Sequence, residues 1–174
     1  LRLGERTEAN RAKNPAFFGL MPASISHEGY SAKPMHSYWD DFWALRGYKD
    51  AVEIATWLGH ADDAKRFAAS RDEFRADLHA SIAIATKQHG IDFIPGAAEL
   101  GGEQDTLPRD LLHNTFERYW REFVQRRDGK REWKDYTPYE LRTVGSFVRL
   151  GWRDRAHEAL DFFFKDRQPP AWNQ

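Results

Sequence analysis

The sequence predicts an all-α protein. Apolar residues recur at helical spacing over five segments, period-two alternation is scarce, and Gly or Pro punctuates most joins. Helices are expected at about residues 38–58, 61–88, 108–127, 137–151 and 154–165, paired as hairpins.

Residues 13–36 read as a loop, broken by Pro15, Gly19, Pro22, Gly29 and Pro34. A connection of that length is uncommon unless it has a function. Ser37 suits the N-cap of the first helix, with Asp40 at its third position. Trp39, Phe42, Trp43, Val52, Ala55 and Leu58 follow helical spacing, and Gly59 ends the run. In the second helix Phe67, Phe74, Leu78, Ile82 and Ala85 share a face, opposite Lys65, Arg71, Asp72 and Arg75.

After a loop over 89–107, Pro108 suits the first turn of the third helix. Leu112, Phe116, Trp120 and Phe123 line one side of it. Glu117 with Arg121, and Glu122 with Arg126, have the spacing of supportive pairs. The mixed-sign run 126–134 reads as a solvated turn. Thr137, Pro138 and Glu140 form a capping box for the fourth helix, which ends near Gly151. Short joins at Gly59-His60 and Gly151 contrast with the long ones. The long loops 13–36, 89–107 and 126–136 are therefore expected to share one rim, where a pocket would be assembled.

The 174 residues suffice for one domain with a core, taken over 1–174. A net charge of −1 argues against nucleic acid or an anionic membrane as partner. No apolar run approaches the roughly 18 residues of a membrane span, so membrane insertion is not expected. Without cysteine there are no disulfides, thiolate metal sites or cysteine nucleophiles. The compartment stays open, with a periplasmic or extracellular setting favoured over the cytoplasm. Seven Trp and twelve Phe point to a large core, a carbohydrate site, or both. The chain opens on Leu1 and closes on Trp172-Asn-Gln174 in mid-pattern, which reads as a fragment of a larger domain.

The chemistry concentrates in His36-Ser-Tyr-Trp-Asp-Asp-Phe-Trp-Ala-Leu-Arg-Gly47. Asp40 and Asp41 adjoin three aromatics, and successive helical residues point about 100° apart. One carboxylate is therefore inward and the other meets solvent or a loop. A helix start alone favours acids there, and Trp39 and Trp43 have a core role open to them as well as a sugar platform.

From Ser37 through Asp50-Ala51, followed by Glu53-Ile-Ala-Thr-Trp-Leu-Gly59, the chain resembles the six-hairpin glycosidase superfamily. So does the second hairpin, Tyr136-Thr-Pro-Tyr-Glu-Leu-Arg142 through Arg149-Leu-Gly-Trp152. That superfamily includes glucoamylase-like, trehalase-like and α-L-rhamnosidase-like enzymes. The resemblance implies that these hairpins are part of an (α/α)6 toroid, of which five helices are less than half. In trehalase-like enzymes a Ser-Gly-Trp-Asp segment supplies the general acid. Asp40 stands at that position here, with Tyr38 in place of the Gly.

The activity implied is hydrolysis of an oligosaccharide or glycoside, with inversion. Inverting enzymes use an acid and a carboxylate base about 6.5–9.5 Å apart. Asp40 is the first candidate for acid or substrate-binding carboxylate. Its partner is Glu99, Glu140 or a residue beyond Gln174. Tyr38, Trp39, Trp43, Tyr139 and Trp172 are candidate sugar platforms. His27 and Glu28 are candidate substrate contacts in the first loop, and Arg142 lies beside Glu140 at an inner-helix start. Arg46 is expected in a buried pair with a carboxylate. No His-Glu-x-x-His, Gly-rich phosphate loop or Gly-x-Ser-x-Gly segment occurs, so neither metal nor cofactor is expected. The alternatives are a non-catalytic carbohydrate-binding toroid and a helical interaction scaffold.

Overall fold

The computed structural model describes residues 6, 8–25, 32–95, 102–103, 105–132 and 140–165. They are mostly helical, and among them there is no strand, only an isolated antiparallel bridge between Ser24 and Met35. The fold class is all-α. No described helix is long and apolar enough to cross a membrane. The chain divides into two compact units, Leu1–Gly96 and Ala97–Gln174.

The first unit holds α1 (Glu8–Lys13), a 3-10 turn (Pro15–Phe17), α2 (Tyr38–Trp57) and α3 (Ala61–His89). Ser37 caps α2 as its composition predicts, its hydroxyl accepting the Trp39 N–H at 3.2 Å. The helix stops at Gly59, whose φ of +73° is open to glycine at little cost. There the His60 N–H reaches back to the Ala55 carbonyl at 2.9 Å, and the chain reverses. Tyr38 meets Ser81 and Tyr48 meets Phe74, so α2 and α3 run antiparallel. The residues before α2 and those after α3 consequently lie at the same end of this hairpin. Phe42, Leu45, Phe74, Leu78 and Ile82 fill the space between the helices, and Leu20 and Ile94 are buried too.

Two residues assigned to the α2 core face the other way. Trp43 is 49% and Leu58 67% exposed, because the inward stripe runs through Asp41, Phe42, Leu45 and Ala55. The expected loop over 13–36 also carries more structure than its Pro and Gly content suggests. It includes the 3-10 turn and the Ser24–Met35 bridge.

The second unit holds α4 (Arg109–Arg127), α5 (Leu141–Arg149) and α6 (Arg153–Lys165). A short turn joins α5 to α6, with the Trp152 N–H on the Phe147 carbonyl at 2.8 Å. Phe147, fully buried, is the hub of the unit. Phe116, Tyr119, Trp120 and Trp152 surround it at centroid distances of 5.7–6.1 Å. Aromatic edges packed on aromatic faces gain beyond the area they bury. Below the hub Phe123 packs on Phe162 and Phe163.

Charged residues on α4 choose partners outside their own helix. Glu117 pairs with Arg155 at 2.7 Å, Arg126 with Glu140 at 2.8 Å, and Glu122 with Arg131. Instead of the expected Arg121 and Arg126, Glu117 and Glu122 meet Arg155 and Arg131 in partly exposed pairs, and of the three only Arg126–Glu140 is buried. Arg126 is thus part of the interior and not of a solvated turn; its side chain is only 7% exposed.

Candidate functional site

In the first unit the start of α2 gathers the predicted residues Tyr38, Trp39, Asp40, Asp41 and Trp43. The two adjacent carboxylates separate as the helical turn requires. Asp41 is the inward one, 1% exposed, and its Oδ1 accepts the backbone N–H of Met21 at 2.8 Å. Burial, opposed by that bond and reinforced by the Asp40 charge, pushes its carboxyl up to about 7. Asp40 is half-buried, and its Oδ2 accepts the Ser24 hydroxyl at 2.9 Å. The deeply buried acid is therefore Asp41, and the carboxylate that reaches the surface is Asp40.

The loop before α2 is tied to this start at several points. The His36 Nδ1–H donates to the Met21 carbonyl at 3.0 Å, and the His36 ring stacks on Phe17 at 4.1 Å. Met21 is thus clamped at both its N–H and its carbonyl. Tyr38 sends its hydroxyl to Ser81 at 2.8 Å, and the Ser81 hydroxyl donates on to the Ala16 carbonyl. Burial raises the Tyr38 phenol above its usual value. Tyr38 is thus a packing residue as much as a surface one.

Trp39 and Trp43 meet edge to face at 5.8 Å, the first half-buried and the second exposed. Trp43 offers open ring surface one turn beyond Asp40. Arg46 pairs with a carboxylate as expected, but at the surface: Asp50, one turn along, takes it at 2.9–3.0 Å. The outward direction of the Trp43 stripe carries Arg46 into solvent.

The second-unit candidates are Glu140 and Arg142. Glu140 immediately precedes α5 and is largely buried. Its Oε1 accepts the Tyr119 hydroxyl and its Oε2 the Arg126 guanidinium, each at 2.8 Å. Burial and the neighbouring Glu140 carboxylate raise the Tyr119 phenol far above its usual value. Both oxygens of Glu140 are committed to the interior. Arg142 is half-buried in the first turn of α5. Asp40 and Glu140 belong to different units. His27, Glu28, Glu99, Tyr139 and Trp172, and the cap residue Thr137, lie outside the described residues.

Three features escaped the sequence. Glu103, 1% exposed, accepts the Thr106 hydroxyl at 2.7 Å. Its place in a Gly-rich loop gave no sign of burial. Asp77 is buried against Arg6, where Gly19 passes so close that a Cβ would collide with its carboxylate. A cleft of about 420 Å3 also opens beside the α5–α6 turn, lined by His113, Glu117, Trp152, Arg153, Asp154 and Arg155. Its Trp152 ring is engaged by Phe147, by the edge of His113, and by Arg155 at 4.5 Å. It lies at a short join, where loop length predicted no pocket. Among the described residues no three His, Cys, Asp or Glu side chains converge as a metal site would need.

No family model, curated protein or solved structure matches the chain.

Proposed function

We propose that the protein is a glycoside hydrolase acting on an oligosaccharide or glycoside. Its hairpins would form part of an (α/α)6 toroid, with Asp40 the carboxylate that touches substrate. The observation that carries this is the division of labour at the α2 start. Asp41 turns inward and fastens Met21, while its neighbour Asp40 stays accessible beside Ser24 with Trp43 one turn on. A carboxylate next to an open indole suits a sugar, whose hydroxyls need acceptors and whose C–H face needs an aromatic.

In an inverting hydrolysis the acid gives its proton to the glycosidic oxygen as the C–O bond breaks. An opposed carboxylate takes a proton from the water that attacks the anomeric carbon. Asp40 is assigned to the first of these roles or to binding a sugar hydroxyl. Glu140 is a poor second carboxylate, since Tyr119 and Arg126 already hold it. The test is turnover of a broad glycoside and disaccharide panel, with the anomer of the first product read by NMR. Release of an inverted sugar supports the assignment; a panel without turnover contradicts it.

A further inference from the structure

Helix α2 carries large apolar residues on two opposite sides. One side, through Phe42, Leu45 and Ala55, belongs to the hairpin core. On the other, residues 43, 47, 50, 54 and 57 fall within about 40° of a single line along the helix, at 100° per residue. An amphipathic helix carries polar residues there. This one exposes Trp43 by 49%, Ile54 by 51% and Trp57 by 79%. These exposed apolar side chains flank the Arg46–Asp50 pair at the middle of the strip, and large apolar groups left on a surface mark an interaction site.

The order of residues along the strip identifies the occupant. From the middle outward, the N-terminal half reads Gly47, Arg46, Trp43, Trp39, and the C-terminal half reads Asp50, Ile54, Trp57. Two copies of α2 crossing antiparallel at about residue 48 put Trp39 opposite Trp57, Trp43 opposite Ile54, and Arg46 opposite Asp50. Each contact then occurs twice, which is the self-complementarity a two-fold interface requires. Charge agrees with shape, since Arg46 and Asp50 already attract within one helix, and crossing adds the same pair between helices.

Gly47 sits one residue from that crossing. Glycine in mid-helix is unfavourable, and among the described residues no atom lies within 4 Å of a Cβ built there. No described neighbour accounts for a small residue at that point, whereas close approach of a second backbone does.

We propose that α2 is the seam of a two-fold homodimer, two copies crossing antiparallel beside Gly47 with Arg46 and Asp50 exchanged across it. The dimer does not depend on glycosidase activity, and mass and turnover report on the two separately. Trp43 serves both surfaces, so a sugar resting on it competes with the partner copy.

Sedimentation equilibrium of the full chain across a concentration series tests the seam. A monomer–dimer equilibrium is expected, weakened about tenfold or more by Arg46→Asp or Asp50→Arg alone. Mixing those two variants restores association, because each then meets its opposite charge on the other. Gly47→Gln, exposed and helix-favouring, keeps the helix content and abolishes the dimer. A chain monomeric at the highest attainable concentration overturns the proposal. So does a dimer indifferent to both the charge reversals and Gly47→Gln.

Discussion

Asp41 accepts the backbone N–H of Met21 at 2.8 Å from a position with 1% of its surface exposed, so one buried carboxyl fastens the loop to the start of α2. Burial raises its pKa from 3.8 to about 7 in the folded chain. The folded state therefore holds a proton between these values that the unfolded state has released. Stability contributed by Asp41 is fully present below pH 3.8 and declines as pH rises towards 7. At about 1.4 kcal/mol per pH unit the whole effect is about 4 kcal/mol.

Asp41→Asn keeps an oxygen for Met21 and removes the buried charge. Chemical denaturation at pH 8 is expected to show this variant more stable than the parent by a few kcal/mol, about the size of that linkage. At pH 4 the two converge. Parallel pH profiles for parent and variant would contradict the buried acid.

Gly19 is fixed by its backbone and by its neighbour. Its φ is +78°, and a Cβ would meet the Asp77 carboxylate. Gly19→Ala should cost about 2–4 kcal/mol, combining backbone strain with displacement of a buried residue. Thermal unfolding checks this, and an unchanged midpoint rules out the contact.

In the second unit Glu140 holds Tyr119 and Arg126 together. Removing the buried carboxylate that faces Arg126 in Glu140→Ala should cost about 3–5 kcal/mol. Arg126→Met combined with Glu140→Leu should recover much of that loss, because no buried charge then remains. The double variant, measured by denaturant unfolding, separates a structural ion pair from a catalytic one.

Phe147 is the hub against which Phe116, Tyr119, Trp120 and Trp152 pack. Phe147→Ala is expected to lose about 3–5 kcal/mol through lost contacts and the cavity left behind. Loss of near-ultraviolet circular dichroism with far-ultraviolet signal retained would show the aromatic packing failing before the helices.

Helix positions were legible from the sequence because apolar spacing, Ser37 and the Gly59 and Gly151 joins all report local physics. The direction of a side chain was not. The stripe through Phe42 and the stripe through Trp43 are both apolar, and only packing on α3 decides which is inside. For the same reason adjacency could not tell Asp40 from Asp41; the Met21 N–H, 20 residues away in sequence, settles it. Glu140 reads as a capping residue locally, yet its partners Tyr119 and Arg126 come from α4. The α5–α6 cleft had no signal in loop length, since side chains of α4 and α6 build it.

The most direct test of Asp40 as the substrate carboxylate compares Asp40→Asn with Asp41→Asn and the parent on one hydrolysed glycoside. The expected result is a loss of about 10²–10⁴ in kcat/KM for Asp40→Asn, the usual scale of a positioned acid or base. That variant keeps its unfolding midpoint, while Asp41→Asn retains turnover and shifts only in stability. Full turnover by Asp40→Asn, or its loss in Asp41→Asn with the fold intact, would contradict the assignment.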